Sequence, residues 1–352
     1  MRIFGLSRAF GVGQGVKVFL NLQIGATRGK VPDPWKGRAK PKTLESQNKV
    51  IFRLRSQNKN LREELFRLRN ELAATNDLAE DDQGNPSALQ VTDAEVGALP
   101  DYVIIGAMRC GTSRFYGLLT QHPLIERAAA KELHFFDRPE RFEKGTEWYR
   151  KCFPPPEWRN GHNTITGEAT PMYLFHPGVP ERMAQAVPDA KLIVLLRNPV
   201  DRAYSQYHKS VRNGRESRSF QETVEEELDS LASAEPSDRG RSRDDSDGSA
   251  YTQLSRGIYV DQLARWRQFF DEEQMLVLKS EDFFKHQADT LKQVQEFLGL
   301  PYREIEIPSR KTSRQSTYEY EPMDPVLRRR LEAFFEPHNR RLYDYLGRDF
   351  GW

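Results

Sequence analysis

Residues 101 to 114, DYVIIGAMRCGTSR, constrain this chain more than any other stretch, because an apolar run, two glycines and the start of a helical pattern follow one another without a gap. Tyr102 to Ile105 is short, apolar and β-branched, as a strand in the centre of a parallel sheet requires, and Phe115, Leu118 and Leu119 recur at helical spacing just downstream. Gly106 and Gly111 let the loop between them turn and approach an anion. The N–H groups of Gly111, Thr112 and Ser113 are free to point at that anion from a helix start. The spacing Gly106-x-x-x-x-Gly111 matches a nucleoside-triphosphate loop, but such a loop continues with Lys and then Ser or Thr. Here Thr112 follows directly and the basic residue, Arg109, lies inside the loop. A plain strand-turn-helix corner, with glycines that only satisfy the turn, is the alternative for this stretch alone.

A chain of 352 residues holds one large α/β domain with additions, and a hydrophobic content of 38% implies that part of it is not core. Lys and Arg total 53 against 51 Asp and Glu, so the net charge of +2 makes no global case for nucleic-acid binding. Any basic site must be local. Cys110 and Cys152 read as free thiols, since a disulfide through the loop would stiffen it, and this suits a reducing compartment. No apolar run approaches the roughly 20 residues that span a bilayer, and residues 1 to 23 lack an apolar region followed by a small-residue cleavage site. The expectation is a soluble, cytoplasmic protein.

Residues 1 to 43 form a basic, flexible arm on composition, with Asp33 its single acid. With the apolar patch Val16 to Leu22, it suits peripheral attachment to an anionic membrane or polymer; a solvated tail is the other reading. Residues 44 to 74 predict a coiled coil. Leu44, Ile51, Leu54, Leu61, Leu65, Leu68 and Leu72 fall on the a and d positions of one heptad frame, with Gln47 and Asn58 in the remaining slots. Asn58 at an a position favours two parallel strands, hence a parallel homodimer. Residues 75 to 98 read as an acidic linker, residues 99 to 352 as the catalytic domain, and residues 230 to 250 within it as a disordered Ser/Asp/Arg-rich insertion.

In the domain, Lys131-Glu132-Leu133-His134-Phe135-Phe136-Asp137 puts a carboxylate and an imidazole two residues apart, on the same side if the segment is extended. Lys191 to Leu196 is the clearest buried strand, and it ends in Arg197 where a P-loop kinase would place a Mg²⁺-binding Asp. No metal is therefore expected. A helix carrying Arg202, Tyr204, Ser205, Tyr207 and His208 follows, then a helix with Leu263, Trp266, Phe269 and Phe270, a strand at Met275 to Leu278, a helix at Leu291 to Leu298, and a last helix with Leu327, Leu331, Phe334 and Phe335. This strand-then-helix order predicts a mainly parallel sheet covered on both faces.

With these pieces in order, residues 101 to 352 resemble the sulfotransferase superfamily that uses 3′-phosphoadenosine 5′-phosphosulfate (PAPS), in the branch containing heparan sulfate 3-O-sulfotransferases and related bacterial enzymes. IIGAMRCGTS is similar to the 5′-phosphosulfate loop, KELHFFD to the catalytic segment, GEATPMYL to the substrate-facing strand and loop, and LIVLLRNPVDRAYSQY to the 3′-phosphate site. RGIYVDQLARW, EDFF, FLGL and the closing FFEPHNRRLYDYLGRDFGW continue the likeness. The resemblance implies a P-loop nucleotide-kinase-like three-layer α/β fold with the donor across the carboxyl ends of its strands. It implies donor binding by Arg109, Cys110, Gly111, Thr112, Ser113, Arg197 and Ser205, with Arg310 and Lys311 as further cations. Glu132 takes the position of the general base, with His134 the alternative, and the acceptor is a hydroxyl or amine of a glycan or glycolipid. Arg109 stands where a loop Lys is usual, and Ala169 stands where the heparan sulfate branch has a second Lys. Two other classes remain open on the residues: a P-loop nucleotide kinase, and a non-catalytic assembly protein whose active part is the coiled coil.

Overall fold

The apolar runs become strands where they can be sandwiched. In a computed structural model, which describes residues 97–155, 164–233, 253–308 and 321–352, strands β1 (Tyr102–Gly106), β2 (Ile125–Arg127), β3 (Ile165–Ala169), β4 (Lys191–Leu196) and β5 (Met275–Lys279) form one sheet in the order β2-β3-β1-β4-β5. Every pairing is parallel; Tyr102 sits opposite Gly167 on one side and Lys191 on the other. All of β1 is buried, and so is β4 after Lys191. Successive strand residues face opposite sides, so the sheet is covered on both faces, as the unbroken apolar runs predict.

Strand order fixes where a ligand can sit. From β1 the chain moves toward β2, whereas from the neighbouring β4 it moves toward β5, so the loops leaving these two strands part company. Such a divergence opens a crevice at the carboxyl ends of a parallel sheet. The helix after β1 is α1 (Thr112–Leu119), followed by α2 (Pro139–Phe142), α3 (Gly145–Lys151) and α4 (Val179–Ala186). After β4 come α5 (Pro199–Arg212), α6 (Phe220–Ser233) and α7 (Tyr259–Trp266); after β5 come α8 (Ser280–Lys285), α9 (Gln287–Phe297) and α10 (Pro325–Leu346).

Arg197-Asn198-Pro199 is a helix start written in full. The Asn198 side chain accepts from the Val200 and Asp201 N–H groups at 3.0 and 3.2 Å, and Pro199 takes the first helical position, where its missing N–H costs nothing. Asp324 and Pro325 repeat the device at α10, which packs across α5 and α7 and ends on left-handed Gly347.

Several expectations shift. The segment 131 to 137 is not an extended strand. Helix α7 stops at Trp266, leaving Phe269 40% exposed while Phe270 turns inward. Helix α6 runs through Ser233, so residues 230 to 233, read as part of the insertion, are helical. Gly97 and Ala98 already pack on the domain: the Gly97 carbonyl accepts from Arg150 Nε at 3.0 Å and the Ala98 N–H donates to Pro154 at 3.2 Å. Cys110 and Cys152 are both free. The basic arm, the coiled coil, nearly all of the acidic linker, the rest of the insertion, and Arg310 with Lys311 lie outside the described residues. Among the described residues no helix is long and apolar enough to cross a membrane.

Candidate active site

The loop after β1 is pinned from beneath. The Ala107 N–H donates to Leu195 at 2.8 Å, and Ser280 Oγ, at the start of α8, donates to the Cys110 carbonyl at 2.9 Å. Gly111 holds φ +87°, a left-handed conformation that costs a residue with Cβ about 1 to 2 kcal/mol. A Cβ there would also lie 2.7 Å from the Phe284 ring, which is 46% exposed. No side chain caps the N-terminus of α1, so its first N–H groups are left for another acceptor.

Three of the expected donor residues meet at the crevice. Arg109 Nε donates to Ser205 Oγ on α5 at 3.1 Å, and Arg197 Nη1, at the end of β4, donates to the Arg109 carbonyl at 3.3 Å. Thr112 and Ser113 open α1, with Thr112 buried and Ser113 exposed. Cys110 is fully buried, and burial pushes its thiol up to about 11, so it contributes its backbone rather than a reactive sulfur.

The segment 131 to 137 carries the second group. Glu132 and His134 both have positive φ, 62° and 51°, and with Arg109 at 69° they are the non-glycine residues in that region among those described. This double reversal aims the imidazole between two carboxylates. His134 Nδ1 lies 2.7 Å from Asp137 Oδ2, and Nε2 lies 3.9 Å from Glu132 Oε2. The Asp137 side chain is 5% exposed against 45% for Glu132, so the buried acid orients the ring and the exposed one faces outward. Lys131 Nζ pairs with Glu132 Oε1.

Lys209 lies within electrostatic reach of both groups. It stands one helical turn beyond Ser205 on α5, half-buried, and feels the charges of Arg109 on one hand and of Glu132 and Lys131 on the other. Its ammonium is held below the usual lysine range, first by burial and then by Arg109. The loop and the segment 131 to 137 are therefore both near enough to Lys209 for their charges to act on it. The guanidinium of Arg256 also reaches the loop, 4.4 Å over the Phe175 ring with Nη1 3.3 Å from Met108 Sδ.

Sequence reasoning gave no role to three of these residues. Asp137 was visible only as the end of KELHFFD and Arg256 as the start of RGIYVDQLARW, and Lys209 was not singled out. Within GEATPMYL, Gly167 to Pro171 are buried, because β3 lies inside the sheet between β2 and β1, and Met172 is partly exposed. The i, i+3 step from His134 to Asp137 and the i, i+4 step from Ser205 to Lys209 were the available signals.

A glycine loop and an arginine-tipped neighbouring strand, set where a parallel sheet diverges, define an α/β transferase of anionic groups. The sulfotransferase domain family matches residues 99–327, and the chain belongs to it. Human heparan sulfate glucosamine 3-O-sulfotransferase 3B1 is 31% identical over 278 residues, covering 72% of this chain and 65% of that protein. A membrane-associated sulfotransferase from Dictyostelium discoideum is 25% identical over 336 residues, 76% of this chain and 69% of that one. Among solved structures, a sulfotransferase from Alicyclobacillus acidocaldarius matches with a TM-score of 0.54 and 32% identity, covering 72% of this chain and 98% of its own. The chain is accordingly a PAPS-dependent sulfotransferase, and neither the kinase nor the assembly-protein reading is favoured.

Proposed function

We propose that the chain transfers the sulfuryl group of PAPS to a carbohydrate hydroxyl or amine, with the donor held by Arg109, Arg197 and Ser205 and the acceptor proton taken by Glu132. The convergence of Arg109, Arg197 and Ser205 carries the donor assignment. The residues fit a ligand with two anionic ends. The uncapped start of α1 and Arg109 suit the phosphosulfate, and the Arg197 fork with the Ser205 hydroxyl suits the 3′-phosphate. Such transfer is an in-line displacement with a loose transition state, so the protein contributes position and charge. Arg109 and Lys209 stabilise negative charge as it develops at the crevice. Glu132, the more exposed carboxylate, accepts the proton. His134, fixed by Asp137 with Nε2 toward Glu132, supports that carboxylate as the charge on it is neutralised.

Titration calorimetry tests the donor site. The desulfated donor, 3′-phosphoadenosine 5′-phosphate, should bind the full chain more tightly than adenosine 5′-phosphate by roughly one to two decades, the worth of a charge-assisted contact. Equal affinities would remove the basis of the assignment.

The acceptor class is supported by the named heparan sulfate enzymes among the relatives and by the cations around Glu132. Ala169 lies where that branch has a lysine and is fully buried in β3, so any acceptor cation must come from elsewhere; Lys131 and Lys209 are the ones at hand. Beyond the domain, the heptads of residues 44 to 74 support a parallel homodimer. The basic residues 1 to 43 support a peripheral contact with anionic membrane from the cytoplasmic side.

A further inference from the structure

Glu168 is the most buried carboxylate that the reaction does not use. It is 0% exposed in β3, with no salt bridge to a cation among the described residues, and burial raises its carboxyl above the usual carboxylate range. Three hydroxyls converge on it. Tyr149 Oη donates to Oε1 at 2.7 Å, Tyr173 Oη donates to Oε1 at 3.1 Å, and Thr170 Oγ1 donates to Oε2 at 2.6 Å. Two of those hydroxyls have a second partner. Thr170 Oγ1 accepts from the His134 N–H at 3.4 Å, and Tyr173 Oη accepts from the Phe135 N–H at 2.9 Å.

Each hydroxyl has one proton, and Glu168 decides where it points. A carboxylate that accepts both protons leaves lone pairs of Thr170 and Tyr173 turned toward the catalytic segment, where each takes a backbone N–H. Adjacent holds agree with this. The Glu132 N–H donates to the Ala169 carbonyl at 3.1 Å, Arg182 donates to the Phe136 carbonyl at 2.7 Å, and Arg141 donates to the Leu133 carbonyl. The segment they fix contains two left-handed residues, which persist only where surroundings over-determine them.

We infer that Glu168 is a positioning residue for sulfuryl transfer: through Thr170 and Tyr173 it orients the hydroxyls that clamp the His134 and Phe135 amides, and so sets the spacing of Glu132, His134 and Asp137. The inference rests on the catalytic reading of that segment. Tyr149 supplies the control, because its hydroxyl binds the same Glu168 oxygen but has no bond to the segment, and its ring stacks on Phe135 at 4.5 Å in either Tyr or Phe form.

Thr170→Val, Tyr173→Phe and Tyr149→Phe are compared in the full chain by hydrogen exchange of the 131 to 137 amides and by PAPS turnover with heparan sulfate as the acceptor probe. Loss of one clamp should speed exchange of the His134 or Phe135 amide roughly tenfold, the worth of one hydrogen bond. The same two variants should lower kcat at least about fivefold with the Kd of 3′-phosphoadenosine 5′-phosphate unchanged, and Thr170→Ser should restore both readouts. Tyr149→Phe should leave exchange and kcat within about twofold despite losing an equally buried bond. The inference is overturned if Tyr149→Phe matches the other two, if exchange is unmoved in all three, or if exchange rises while kcat holds. Exchange needs no turnover, so a wild-type chain inactive toward the probe would count against the acceptor reading while the exchange ratios still decide the clamp.

Discussion

Arg109, Glu132 and His134 each occupy left-handed backbone at a cost of about 1 to 2 kcal/mol, and nothing in local sequence asks for it. Strain of this kind gathers where a fold must aim side chains rather than relax them. Replacing Glu132 by Gln keeps the shape and removes proton acceptance, so single-turnover rates should fall roughly 10² to 10⁴-fold with binding of 3′-phosphoadenosine 5′-phosphate intact. Normal turnover in that variant, with loss in His134→Ala, would move the base to His134. Asp137→Asn should cost roughly tenfold or more in kcat, since an amide no longer holds the ring with Nε2 toward Glu132; an unchanged rate would mean that the ring is held by other contacts. Arg109, Arg197, Glu132 and His134 were legible as charged or titratable groups in a loop, at a strand end and two residues apart, whereas the roles expected of them, and of Ser205, came from the resemblance of their motifs to the family's. Glu168 was not legible, because its three donors come from positions 149, 170 and 173 and only the folded sheet brings them to one carboxylate.

At the scale of elements, β1, β4 and β5 were readable because each is an unbroken apolar run bounded by a turn. The three residues of β2 are too few to show any period, and its place at the sheet edge comes from pairing with β3 alone. The start of α6 was equally hidden, since a charged stretch reads as surface. Glu216 is buried there and accepts from the Ser217 N–H and from the N–H and guanidinium of Arg218, which hold its carboxyl down from 4.5 to about 2. A depressed folded value gives stability that is complete above the unfolded value of about 4.5 and is lost as pH falls through about 2. Arg218 is 39% exposed, so screening limits the contribution to roughly 1 to 2 kcal/mol. The melting temperature of the wild type should exceed that of Glu216→Gln at pH 6 and lose that lead toward pH 2.5. A lead that is constant with pH would show that packing, not ionisation, is what Glu216 supplies.

For the whole molecule, the question is why a domain with its own five-stranded sheet follows a sequence with four heptads of apolar spacing. Residues 44 to 72 span about 43 Å if helical at roughly 1.5 Å per residue, long enough for a two-stranded coil yet marginal as a lone helix in water. The proposed dimer rests on the sequence pattern: Leu and Ile at a and d positions would be better explained by a second copy than by helix stability, and Asn58 at an a position would favour two parallel strands. In that proposed dimer a parallel coil would gather both basic arms at one end and suspend both catalytic domains from the other. Two sites tethered this way would meet one polymeric or membrane-bound acceptor at raised effective concentration, with no new contact needed in the crevice. Gly97 and Ala98 are bonded into the domain, so a chain truncated to begin at Glu95 retains those ties. Light scattering at micromolar concentration should give a dimer for the full chain and a monomer for the truncated one. Turnover per site on a soluble disaccharide should be equal in the two, while turnover on a long heparan sulfate chain should favour the dimer; a monomeric full chain would sink the coil, and equal turnover on both acceptors would leave the dimer without its advantage.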